Sequence, residues 1–152
     1  MKARDSMNWK KNPIKTALFA SAIALTLLLF IGCRSNSGSQ IQGSLGQAIT
    51  LSPGQTATIE SENLSFQLIQ VSGDSRCAQG VECIRAGDVK CDMQFNYKNE
   101  TSKITLIDTG GAQGDTQTNF DQYQLSFRVN PYPVYGKTIA PSDYQLRITV
   151  TK

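Results

Sequence analysis

The chain holds four cysteines and no histidine. Without an imidazole, a Ser-His-Asp triad, a Cys-His dyad and every His-containing zinc site are excluded. The side chains left to carry chemistry gather in residues 72–88, SGDSRCAQGVECIRAGD. There Cys77 and Cys83, with five residues between them, sit among Asp74, Arg76, Glu82, Arg85 and Asp88. Together with Cys91 the pair could offer three thiolates to a soft metal, but spacings of five and seven intervening residues match no metal signature and no fourth ligand is evident. No metal and no cofactor is expected. Glu82 and Asp88 are formally a carboxylate pair for glycoside hydrolysis, with nothing in the sequence to fix their separation. A catalytic cysteine would lack its base. A close pair of this kind reads first as a disulfide if the chain is exported, which the segment ahead of the domain bears on. Closing so small a loop is worth only about 2 kcal/mol in the chain-entropy model, so its main role is to hold the loop's shape.

The charged residues of the loop admit two accounts. Asp74, Arg76, Arg85 and Asp88 could form a recognition surface. Alternatively Asp74 caps the turn and pairs with Arg76, and Gly87-Asp88 starts the next strand, which is the account the residue types favour. Cys91 shares one strand face with Val89, Met93 and Phe95 and reads as a buried, inert thiol. A bridge from Cys91 to Cys77 or Cys83 is the alternative.

The elements that position this loop begin after a segment of a different kind. Residues 1–15 are basic, and residues 16–31, TALFASAIALTLLLFI, are uncharged and end at Gly32-Cys33. That is the arrangement of a secretory signal, and it is shorter than the roughly 20 apolar residues a spanning helix needs. The chain's net charge of +3 is the sum of +4 in this segment and −1 in the rest. Five basic residues stand there against Asp5, leaving ten basic and eleven acidic residues from Cys33 onward. A near-neutral domain without a Lys/Arg run lacks the footprint of nucleic-acid binding.

Beyond Cys33, residues 34–43 are rich in Ser, Gly, Asn and Gln and read as a flexible tether. The domain proper is expected over residues 44–152. Its strongest signal is period-two alternation at residues 89–97, 123–130 and 144–150. Weaker strands are expected at residues 47–51, 56–60, 64–71 and 103–108, with turn signals between them, Gly110-Gly111 among these. About seven short strands, each with one apolar face, predict an all-β fold, an antiparallel two-sheet β-sandwich, with a small β-barrel as the alternative. Pro131 and Pro133 predict that the chain leaves its sheet after Asn130. A 17-residue connection at 72–88 stands out against such short turns and is long enough to be functional.

Two resemblances add to this. The junction Phe30-Ile31-Gly32-Cys33 resembles a bacterial lipobox, with Phe30 where Leu is usual. The resemblance implies cleavage after Gly32, lipidation of Cys33 with palmitate-type acyl chains, and a domain held on the outside of the membrane. An uncleaved N-terminal anchor is the alternative. Arg34 in place of Asp after the cysteine favours the outer membrane, by analogy with Gram-negative sorting. Asp74-Ser75-Arg76-Cys77, Val81-Glu82-Cys83-Ile84 and Ala86-Gly87-Asp88 resemble the signature of a group of uncharacterised bacterial exported proteins and lipoproteins. That group carries D-S-R-C-P, a short gap and C-I-W-A-G; here Ala78 replaces the proline and Arg85 the tryptophan. The likeness implies fold and location and no activity. The expectation for the whole is a non-enzymatic envelope lipoprotein, held to the membrane by lipid, presenting the cysteine loop to an envelope protein or a glycan or serving as a structural component. The rival is an enzyme of unrecognised class using the loop's carboxylates or a thiol.

Overall fold

Where every second side chain is apolar, an extended chain can bury one face and leave the other in water. In the structure, a computed structural model, residues 40–109 and 114–152 are described, and within them the alternating runs are strands with one buried face. Nine strands lie among the described residues: β1 Gln40–Gln42, β2 Ala48–Leu51, β3 Thr56–Ile59, β4 Leu64–Asp74, β5 Val89–Tyr97, β6 Glu100–Asp108, β7 Thr116–Phe120, β8 Tyr123–Asn130 and β9 Gln145–Thr151. They form two sheets, ordered β1-β3-β4-β5-β6 and β2-β9-β8-β7, neither closed into a barrel. This is the sandwich expected from the alternation.

Its core is made by the inward positions of both sheets. Leu64, Phe66 and Leu68 of β4 and Val89, Cys91, Met93 and Phe95 of β5 are buried on one side. Tyr123, Leu125, Phe127 and Val129 of β8 and Leu146, Ile148 and Val150 of β9 are buried on the other. Phe95 stacks on Phe66 within its sheet, at 5.7 Å between centroids, and on Phe120 of the opposite sheet at 4.3 Å. Such stacks add to the area buried and fix how the layers meet.

The fold departs from the sequence expectation at three places. Gln40–Gln42, assigned to the tether, is a strand that pairs in parallel with β3, Gln40 opposite Thr56 and Gln42 opposite Thr58. Edge pairing needs backbone groups and not an apolar pattern, so a polar Gln-Ile-Gln can add to β3 without announcing itself. β7 is the second addition: Thr-Gln-Thr-Asn-Phe pairs with β8 at the edge of its sheet and carries no buried residue. Finally, β4 runs on to Asp74 through register shifts at Leu68/Gln70 and Val71/Gly73, so the long loop starts at Ser75 and not at Ser72. Bulges of this kind break the alternation that marks a strand. β8 does end at Asn130, ahead of the two prolines. Residues 1–32, Cys33, tether residues 34–39 and the Gly110-Gly111 turn lie outside the described residues.

Strand directions give the sandwich two distinct ends. At one, β4 leads into β5 through residues 75–88 and β8 leads into β9 through residues 131–144. At the other, β5 turns into β6 at Lys98-Asn99 and β7 into β8 at Asp121-Gln122.

Candidate functional site

The cysteine loop is built on an ion pair that starts in β4 and ends in the other sheet. Asp74 Oδ1 accepts the backbone N–H of Arg76 at 3.1 Å and its Nε–H at 2.9 Å. Asp74 Oδ2 accepts Arg76 Nη2 at 2.6 Å and the Tyr144 hydroxyl at 3.2 Å. The guanidinium continues past Asp74: Nη1 donates to the carbonyl of Val129 at 2.7 Å and Nη2 to that of Pro131 at 2.9 Å. Tyr132 covers it with its ring centroid 5.0 Å away. Four N–H groups of the five a guanidinium has are thereby engaged, and Arg76 is only 8% exposed.

The reason a charge is drawn inside lies in β8. The last β7–β8 pair is Thr116 with Phe127, so Val129 lies past the end of β7. Its N–H goes instead to Asp108 Oδ2 at 2.9 Å, and its carbonyl to Arg76. Asp108, at the end of β6, also accepts the Thr116 hydroxyl at 2.8 Å. A side chain from β6 and one from the loop after β4 thus replace a strand that stops short, because a buried backbone group left unpaired costs about 1–3 kcal/mol. Burial opposes ionisation of Asp74, yet the hydrogen bonds and charge of Arg76 hold its carboxyl below the usual carboxylate value. Burial and the neighbouring Asp74 push the Tyr144 hydroxyl up.

Above this clamp the loop has a narrow neck. Ser75 N–H donates to the Asp88 carbonyl at 2.8 Å, and Cys77 N–H to that of Ala86 at 2.7 Å. Asp88 N–H returns to Ser75 Oγ at 3.1 Å. Gly87 has φ +70°, and a Cβ there would come within 1.9 Å of the Ser75 carbonyl oxygen. The neck therefore closes only over glycine. Cys77 and Cys83 are joined in a disulfide with their Cα atoms 5.9 Å apart, as the spacing predicts. On its far side the loop is tied to residues 131–135, with Gln79 N–H on Pro133 O at 2.9 Å and Tyr135 N–H on Gln79 O at 3.0 Å.

Of the four residues offered as a recognition surface, Asp74 and Arg76 are together and turned into the frame, so they form no surface. Asp88 is half-buried in the neck, and Arg85 is exposed. Cys91 is buried and unbridged. Burial, with Asp108 nearby, pushes its thiol up to about 12, which keeps it protonated and unreactive near neutral pH. The tip holds what the polar reading passed over: Ile84 is fully exposed at 104%, Val81 at 39%, and Tyr135 on the adjoining segment at 71%. Two large apolar side chains, Val81 and Ile84, in a loop of otherwise small or polar residues were the available signal. A cleft of about 290 Å³ lies within the β8–β9 connection, lined by Tyr132, Val134, Lys137 and Ile139 among others. A larger one, about 690 Å³, lies at the opposite end around Glu62, Tyr97 and Lys98. Neither is lined by Asp74, Glu82 or Asp88.

No protein-family model, curated protein or solved structure matches this chain.

Proposed function

We propose that the chain is an exported cell-envelope lipoprotein, acylated at Cys33, whose sandwich holds the disulfide loop as a non-enzymatic binding element. One observation carries the binding role. The loop is fixed at its neck by a buried ion pair and a disulfide, yet its tip exposes Val81 and Ile84 where neither serves the core. A loop ordered in advance loses less entropy on contact. The groups that chemistry would need are already engaged, Arg76 and Asp74 in the frame and the two loop sulfurs with each other. Export and anchoring rest on the basic and apolar segments ahead of Gly32-Cys33, with the outer membrane as the destination in a Gram-negative cell. Membership in the exported group with the D-S-R-C signature belongs to the same reading. Its residues here, Asp74, Ser75, Arg76, Cys77, Gly87 and Asp88, all serve the neck. With Val81 and Ile84 at its tip the loop suits an apolar contact better than the hydroxyl-rich face of a glycan.

Metabolic labelling with a clickable fatty acid tests the anchor. Cys33→Ser is expected to abolish incorporation, and equal labelling of variant and parent refutes the lipoprotein reading. A photo-crosslinker in place of exposed Glu82 tests the loop in native membranes. Adducts are expected, and they should weaken when Cys77→Ser and Cys83→Ser release the loop. No adduct at all would leave the loop without a binding role.

A further inference from the structure

We infer that the surface met by the loop tip is the lipid bilayer itself, with Val81, Ile84 and Tyr135 entering the interface and Arg85 and Lys137 meeting anionic headgroups. The inference rests on the anchored reading above and names its partner.

The direction of β1 is the first reason. β1 is parallel to β3, and β3 is antiparallel to β4, with Thr56 opposite Gln67 and Ile59 opposite Leu64. β1 therefore runs away from the loop end, and its first residue, Gln40, is entered from that side. Chain length is the second. Seven residue steps separate Cys33 from Gln40, which at full extension is about 25 Å. Gln40 lies level with Gln67 across β3, and the seven steps from Gln67 to Asp74, shortened by two bulges, cover roughly 20 Å of strand. A tether continuing the line of β1 thus reaches only as far as the loop neck, and the tip lies beyond the neck. With the loop end turned to the bilayer, acyl chains on Cys33 are therefore close enough to bring the tip to the surface.

The composition of the tip is the third reason. Ile84 and Val81 are aliphatic and exposed, and Tyr135 presents an amphipathic ring of the kind that favours the headgroup level. Arg85 and Lys137 are exposed beside them, with Glu82 as the opposing charge. Cations next to apolar side chains are what an anionic lipid surface attracts. Insertion of a few side chains is weak alone and becomes effective when one anchor already holds the protein at the bilayer, since stable attachment takes two signals. The neck clamp and the disulfide keep the tip extended toward that surface.

The sequence supplies a probe. Its single tryptophan is Trp9, so a full-length Trp9→Phe background carries no indole, whether or not the first segment is removed. Ile84→Trp in that background is reconstituted in vesicles of phosphatidylcholine with a minority of phosphatidylglycerol, the phosphatidylcholine brominated on its acyl chains. Thr101→Trp, exposed on β6 near the opposite end, is the control. The indole at position 84 should be blue-shifted and quenched by the brominated lipid, and the one at position 101 should not. Adding Arg85→Glu and Lys137→Glu should remove the quenching at 84. Flotation of the same vesicles reads the anchor separately. A floating protein whose position 84 stays unquenched overturns the bilayer contact while leaving the lipoprotein reading standing, and hands the tip to a protein partner. Equal quenching at 84 and 101 also overturns it. Quenching at 84 only, in protein that floats solely through the tip, upholds the contact and removes the acyl anchor.

Discussion

The two ends of the sandwich solve the same problem, how to join strands, in opposite ways. At the turn end β5–β6 and β7–β8 are each joined through two residues. Lys98 and Asn99 both have positive φ, 53° and 64°, which matches the twist of the strands they join. Charges there stay at the surface: Tyr123 donates to Glu62 at 2.7 Å, Lys152 reaches the same carboxylate at 3.1 Å, and Lys98 pairs with Asp121. At the loop end β4–β5 and β8–β9 are joined through 14 residues each and β7 stops early, and there two charged side chains, Arg76 and Asp108, are drawn inside to complete the backbone pairing of Val129. Short turns let side chains be ornamental, whereas long connections make particular side chains part of the frame. A charge at the turn end should be replaceable and one at the loop end should not.

Arg76→Ala tests this most severely. Asp74 would be left largely buried without its counter-charge, and the Val129 and Pro131 carbonyls without donors. Loss of one partner from such a pair costs about 3–5 kcal/mol, to be read from denaturant unfolding. Arg76→Lys should recover only part, because an ammonium cannot reproduce the fork.

Asp74 sharpens the same contrast through pH. Its pKa is lowered on folding, so its contribution is present above the unfolded value near 4 and is lost as the pH falls through the folded one. The stability gap between the parent and Asp74→Asn should therefore be widest near neutral pH and narrow below about pH 4. A constant gap would mean that the carboxylate charge is not what the frame uses.

Replacing Cys77 and Cys83 together by Ser should cost about 2 kcal/mol, since the closed loop spans a sequence separation of only six. A loss as large as that of Arg76→Ala would shift the weight of the loop end from the clamp to the bridge. The smallest change is expected at the turn end. Tyr123→Phe removes one hydroxyl whose acceptor, Glu62, keeps Lys152, and should cost about 1 kcal/mol. Equal costs for Tyr123→Phe and Arg76→Ala would erase the distinction between the ends.

How much of this was legible before the structure follows from where the signal resides. Val89–Tyr97 shows its strand in sequence because burial and alternation coincide residue by residue. Thr116–Phe120 does not, because an edge strand with no buried residue has no pattern to show. Asp74 and Arg76 are two residues apart, so their pairing could be read as a local turn. Their reach to Val129 and Pro131 could not, since it depends on β7 ending two register positions short of Val129, a fact of tertiary structure. The disulfide was legible from spacing and expected compartment. The exposed tip was not, because exposure of Ile84 is set by how the neck and Gln79 hold the loop and not by the residue's type.

A strand that outlasts its neighbour presents unpaired backbone groups, and such an edge is a template on which another molecule can add a strand. At Val129 both groups are occupied, the N–H by Asp108 and the carbonyl by Arg76, and neither side chain offers an incoming chain a ladder to continue. Without them the domain would carry a ready seam for edge-to-edge aggregation, most of all if the proposed anchor concentrates copies of it on a membrane. The clamp that steadies the loop also closes that seam.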